Sequence, residues 1–119
     1  MGYRSDVAFA VSDKLKTEAL IAQVPFPEWC VALEEWGTTE IKNKGYSIYE
    51  LGSIKWYDDF DCVIQTRAFI EWAEQSSYQD QKEPRWGFIR IGEEREDIEV
   101  EGDPEKFGVY VETNIAIYP

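Results

Sequence analysis

The chain has 119 residues, enough for one domain over 1–119 that buries roughly two thirds of its unfolded surface. Its 44% apolar and 30% charged residues exclude a disordered chain, and its net charge of −12 argues against direct nucleic-acid binding, which needs cations to neutralise phosphates. There is no histidine, which removes the usual general base and a common metal ligand together.

Residues 3–11 alternate as a strand, with Val7, Phe9 and Val11 on one face and Arg4, Asp6, Ala8 and Ala10 on the other. Ser12-Asp13 offers an N-cap to a short helix over 14–23, which Pro25 and Pro27 stop. Pro27 suits the first position of a second helix carrying Trp29, Ala32, Leu33 and Trp36 on one face and ending at Gly37. Residues 38–57 read as two strands whose pairing is left open: 38–42, then after a turn at Asn43-Lys44-Gly45 a second over 46–51, broken at Gly52-Ser53 before 54–57.

The clearest helix runs from about Phe60 to Gln75, with Asp58 or Asp59 expected as its cap and Asp61 in its first turn. Cys62, Val63, Thr66, Phe69, Ile70 and Ala73 form its core stripe. Ile64, Ala68 and Trp72 form a second ridge, expected to pack under another element or to serve as an interface, including that of a homodimer. A polar loop over 76–85 leads to a strand from Trp86 to Ile91, an acidic stretch, a strand around Ile98–Glu101, a turn at Gly102-Asp103-Pro104 and a closing β segment over 107–118. The order β-α-α-β-β-α-β-β-β predicts an α+β two-layer sandwich, a mainly antiparallel sheet with helices on one face. Its first part fits a ferredoxin-like βαββαβ unit with a C-terminal β extension.

Cys30 and Cys62 are too few for a disulfide framework, no secretory apolar region opens the sequence, and no run of about 18 apolar residues is present. These features predict a cytosolic protein with two buried thiols and no membrane partner. Both cysteines lie on helix core stripes and neither has a histidine partner, so no catalytic residues, metal or cofactor are assigned and a non-enzymatic protein is expected. The acidic run admits a calcium loop from Asp97 with Gly102 at position six, but position twelve is Gly108 where a bidentate glutamate is required.

The acidity is uneven: 93–119 holds nine acids against two bases. Glu96, Asp97, Glu99 and Glu101 therefore read either as a charged edge strand that discourages aggregation or as a docking surface for a basic partner. Strand parity gives a second candidate. If Val7, Ile54, Trp56, Ile89 and Ile91 face the helices, then Arg4, Lys55 and Arg90 share the opposite face with Tyr57, Trp86 and Phe88. Cations among aromatics suit an anionic, base-bearing ligand, with Arg4, Lys55, Tyr57, Trp86 and Arg90 as the binding set. The competing reading is that the C-terminal β segment or a second subunit covers that face.

Met-Gly-Tyr-Arg-Ser-Asp-Val at 1–7, Ile-Lys-Trp-Tyr-Asp at 54–58 and Gly-Phe-Ile-Arg-Ile-Gly-Glu at 87–93 together resemble a family of small acidic proteins encoded by tailed bacteriophages. The resemblance covers 1–11 and 54–95 and carries no assigned activity. It implies a phage accessory protein of the bacterial host cytoplasm, of a kind that acts against host defences. On that reading the partner is a host defence component or its nucleotide signal. Ligand capture by the five residues above is the leading expectation. The alternative is docking of residues 93–105, as a nucleic-acid mimic, on a basic surface such as a CRISPR effector, with Ile64 and Trp72 as further contact residues.

Overall fold

A computed structural model describes residues 2–76, 85–94, 96–112 and 114–119; most of the polar loop expected over 76–85 lies outside them. In chain order the elements are β1 (Ser5–Ser12), α1 (Asp13–Ile21), a 3-10 turn (Glu28–Cys30), α2 (Leu33–Trp36), β2 (Thr39–Asn43), β3 (Tyr46–Ile54) and α3 (Asp61–Ser76), followed by β4 (Trp86–Gly92), β5 (Ile98–Gly102), a 3-10 turn (Pro104–Phe107), β6 (Val109–Val111) and β7 (Ile115–Ile117). The first five strands form one antiparallel sheet in the order β2-β3-β1-β4-β5, and β6-β7 is a separate hairpin. Because every neighbour is antiparallel, β1 and β2 run the same way with β3 between them. That is the split arrangement of a βαββαβ unit, here with β5 added outside β4. The expected α+β sandwich is present, with the helices on one face of the sheet.

Local chemistry sets the element ends. Ser12 caps α1, its hydroxyl accepting from Leu15 N at 3.1 Å. The second helix is interrupted instead of running from Pro27 to Trp36, because Ala32 leaves helical geometry (φ −87°, ψ 66°). Tertiary bonds hold the segment in this broken form: Trp29 Nε1 donates to Thr66 Oγ1 at 2.9 Å, and Thr38 Oγ1 donates to Trp29 O at 2.6 Å. β3 is one strand through the expected break at Gly52-Ser53. Ser53 takes a left-handed φ of 53° and the pairing with β1 shifts register there. Side chains of β1 and its approach hold this bulge, with Ser53 N donating to Asp6 Oδ1 and Arg4 Nη1 donating to Ser53 O, both at 2.8 Å. Asp58 and Asp59 do not cap α3. Phe60 O accepts the first helical bond, from Ile64 N at 3.0 Å, while Asp58 lies 3.8 Å from Arg67.

β1 is the middle strand, and residues 7–11 are buried on both faces. Toward the helices the core is aromatic: Phe9 packs on Phe26, Phe69 and Phe88 with ring centroids 6.2, 5.8 and 6.2 Å away. On the other face Ala8 and Ala10 are small enough for the C-terminal segment to pack close, Phe107 and Val109 joining Ile48 and Ile89 in one apolar cluster. The chain reaches that face by passing against Gly87, where an added Cβ would strike the Pro104 backbone.

The C-terminal segment therefore covers the helix-free face. On β4 the expected parity is reversed: Trp86 and Phe88 belong to the helix-side core, Ile89 and Ile91 to the hairpin side. From Trp86 to Ile89 the strand is buried on both faces and has no polar side chain, so alternation could not orient it. Among the described residues no helix is long and apolar enough to cross a membrane.

Candidate functional site

The start of β1 and the ends of β3 and β4 meet at one end of the sheet, where Ser5 stands between Ile54 and Gly92. The three sequence stretches singled out above converge here. Tyr3 N donates to Tyr57 Oη at 2.7 Å, Tyr3 Oη donates to Asp97 Oδ2 at 2.7 Å, and Glu94 N donates to Tyr3 Oη at 2.9 Å. Arg4 N donates to Glu93 Oε2 at 2.6 Å. Two glycines make the fit possible: a Cβ on Gly2 would collide with Tyr57 Oη, and one on Gly92 with Tyr3 and Asp97.

Four of the five expected ligand residues, Arg4, Lys55, Tyr57 and Arg90, thus lie at this end of the sheet, but not as one open face. Strand β3 stops at Ile54, and Trp56 turns into the helix-side core, packing edge-on against Trp29 and stacking on Phe88. Lys55 and Tyr57 are carried by the connection to α3 and not by a strand. Trp86 is buried at the opposite end of the sheet, paired with Val11.

Arg90 points to the helix side, along with Trp86 and Phe88, and is fully engaged. It donates to Asp97 Oδ1 at 2.7 Å and Oδ2 at 3.1 Å, to Glu99 Oε1 at 3.2 Å and to Ser5 Oγ at 3.1 Å. Glu99 is also gripped from α3 by Arg67, at 3.0 and 3.4 Å. An anionic ligand on Arg90 would have to displace these carboxylates.

The expected docking residues fall into two groups. Asp97 and Glu99 are held by the two guanidiniums. Hydrogen bonds from Arg90 and then Tyr3 lower the Asp97 pKa. Burial opposes ionisation of Glu99, yet bonds with Arg67, Glu101 and Arg90 keep its pKa below the ordinary value. Glu101 differs: its Oε2 is shielded from solvent with no hydrogen-bond partner and lies 4.0 Å from Arg67 Nη1. Burial, and next the Glu99 carboxylate, raise its pKa. Glu96 is exposed in the turn before β5.

On α3, Ile64 is 51% exposed, whereas Trp72 is half-buried and packs on Phe69 with ring centroids 5.5 Å apart. The ridge is thus split: Trp72 leans on the core, and Ile64 and Ala68 face outward.

Other chemistry is sparse. A cavity of about 550 Å³ by the α3 start is lined by Trp36, Lys55, Phe60 and Cys62, among others, and one of about 720 Å³ beside α1 by Lys16, Leu20, Val24 and Phe26, among others. Lys16 Nζ donates to Tyr49 Oη at 2.7 Å. Both thiols are buried, which pushes their pKa values up and makes them poor nucleophiles. Among the described residues no three His, Cys, Asp or Glu side chains are grouped to hold a metal. Comparison with family models, curated proteins and solved structures finds no match.

Sequence reasoning missed Tyr3, Ser5 and Arg67, which organise the site. The Arg90–Asp97 and Arg90–Glu99 pairs had a signal, since both acids follow Arg90 within one hairpin. Arg67 had none, because its reach to Glu99 depends on where α3 crosses the sheet.

Proposed function

We propose that this is a non-enzymatic interaction protein that binds a basic partner surface through residues 93–105. The observation that carries the reading is the imbalance along β5. Arg67 and Arg90 answer Asp97 and Glu99, while Glu101 reaches Arg67 Nη1 only at 4.0 Å and Glu94, Glu96 and Glu105 stand exposed beside them. The field over this edge is negative, which steers and holds cationic surfaces. The nucleotide-capture reading has less support, since Arg90 is spent on carboxylates and Trp86 lies in the core away from the other four. We take the setting from the phage resemblance: the host cytoplasm, with a nucleic-acid-binding defence protein as the partner and the acidic edge standing in for phosphates.

Competition tests this. The protein should displace labelled duplex DNA from at least one purified bacterial DNA-binding protein in a panel, and high salt should abolish the effect. Exposed ion pairs contribute roughly 0.2–1 kcal/mol each, so a Glu94→Gln/Glu96→Gln/Glu105→Gln variant should need about tenfold more protein for the same displacement. No displacement anywhere in the panel, or displacement indifferent to salt and to the triple change, would refute the reading.

A further inference from the structure

We propose that the open edge of β5 is a docking rail for an extended segment of another protein in which apolar and basic residues alternate, added to the sheet as a sixth strand. The proposal rests on the interaction reading above only for the sign of the partner's charge.

The ladder identifies which groups of β5 are free. Antiparallel strands alternate between pairs that exchange backbone bonds and pairs that do not. Ser12 N donates to Arg85 O on the β1 side, whereas Asp103 N donates to Trp86 O and Gly92 N to Asp97 O on the β5 side. Odd-numbered residues of β4 therefore bond to β1, and even-numbered ones to β5. With Phe88 opposite Glu101 and Arg90 opposite Glu99, the backbones of Glu99 and Glu101 turn inward. Those of Ile98 and Val100 turn outward; Ile98 N donates back to Glu96 O at 3.0 Å, so the Val100 N–H and the two C=O groups line an edge with no strand beyond it among the described residues. Gly102, at φ 69°, turns the chain away and ends the rail.

Side chains set the chemistry of the occupant. Ile98 and Val100, exposed by 42% and 50%, stand on the hairpin-side face of the edge. Glu99 and Glu101 stand on the helix-side face, where the Glu101 side chain is 32% exposed and reaches Arg67 Nη1 only at 4.0 Å, against 3.0 Å for Glu99. An added strand directly opposite would place its side chains about 5 Å from these, close enough for apolar contact on one face and a cation at Glu101 on the other.

A second copy of the chain fits poorly. An antiparallel β5–β5 pair centred on Val100 puts Glu99 opposite Glu101 twice. Any register that keeps the faces aligned sets odd-numbered residues, and so acids, against one another. The edge repels itself and complements a basic strand.

Backbone-capped Val-Lys-Val-Lys-Val is the probe, compared with Val-Val-Val-Lys-Lys and Val-Glu-Val-Glu-Val. The alternating lysine peptide should slow amide exchange at Val100 by tenfold or more; the blocked and acidic peptides should not. Val100→Pro removes the outward N–H while sparing the bonds to β4, so it should keep the wild-type urea midpoint and lose binding of the labelled alternating peptide, read by fluorescence anisotropy. Should that variant fold poorly, the lysine peptide N-methylated at its valines tests the same bonds on the unmodified protein and should also fail to protect. Glu101→Lys should reverse the preference toward the acidic peptide. Equal effects of the alternating and blocked peptides, or unchanged peptide binding in Val100→Pro, would overturn the rail. Such a result, with DNA displacement intact, leaves the interaction reading standing. A sedimentation mass that doubles and is halved again by Val100→Pro would assign the edge to self-pairing and also overturn the proposal.

Discussion

At one edge of the sheet β2 tucks Ile41 under the C-terminal hairpin and offers solvent Thr39, Lys42 and Asn43. At the other, β5 leaves both of its aliphatic side chains half exposed and keeps carboxylates on the opposite face. Both strands carry charge, a common protection for an unpaired edge. What separates them is cover. The hairpin packs against β2, β3, β1 and β4 but leaves Ile98 and Val100 bare, although Ile89 and Ile91, their partners on β4, belong to the same apolar cluster. The hairpin's cover stops at β4 and leaves the β5 edge open.

Removing the cover from β2 is the strongest way to break this contrast. Phe107 is buried and packs edge-on against Tyr46 with ring centroids 5.3 Å apart, anchoring the hairpin. Phe107→Ala should cost about 3–5 kcal/mol in urea unfolding, the range for a buried phenylalanine, and speed amide exchange in β6 and β7. Exchange in β5 should change little, since its bonds to β4 do not involve the hairpin.

A matched pair sharpens it. Ile41→Asp places a carboxylate against the hairpin cluster and should destabilise by about 2 kcal/mol. Val100→Asp, on the bare edge, should stay within about 0.5 kcal/mol of wild type. Equal losses in chemical denaturation would mean that the two edges are covered alike.

The two-layer α+β class was legible because helical stretches alternate with strands, whereas the pairing order of the strands over 38–57 and 98–118 was not, since it depends on contacts between distant segments. The facing of β1 was legible too, since Val7, Phe9 and Val11 contrast in size with Ala8 and Ala10. On β4 the contrast is absent: Trp86 and Phe88 on one side and Ile89 and Ile91 on the other are equally apolar, so either face could have met the helices. That ambiguity moved Trp86 and Arg90 to the wrong face, and the end of β3 at Ile54 removed Lys55 and Tyr57 from any strand. The convergence of the three motifs survived these errors because it depends on which strand ends are neighbours, not on parity. The edge itself left only a faint trace in sequence, Ile98 and Val100 among acids, since exposure depends on how far the hairpin reaches.

The smallest effect separates the carboxylates of β5 from one another. Asp97 and Glu99 have lowered pKa values, so the stability they contribute is present above the ordinary carboxylate values and is lost as pH falls through their folded values, in a window below about pH 4. Glu101 has a raised pKa, so its contribution has the opposite sign: present below its ordinary value of about 4.3, and lost as pH rises through its folded value. At neutral pH Glu101 is therefore the one acid of the three whose charge opposes folding. Glu101→Gln removes that charge and supplies an N–H donor toward Glu99. A gain of at most about 0.5 kcal/mol is expected at pH 7, shrinking toward zero near pH 4, whereas Asp97→Asn should lose stability at pH 7. Thermal melts of both variants across this range decide the matter. If Glu101→Gln is less stable than wild type at pH 7, then Glu101 is held by Arg67 as Glu99 is, and the bare edge has no unanswered charge to offer a partner.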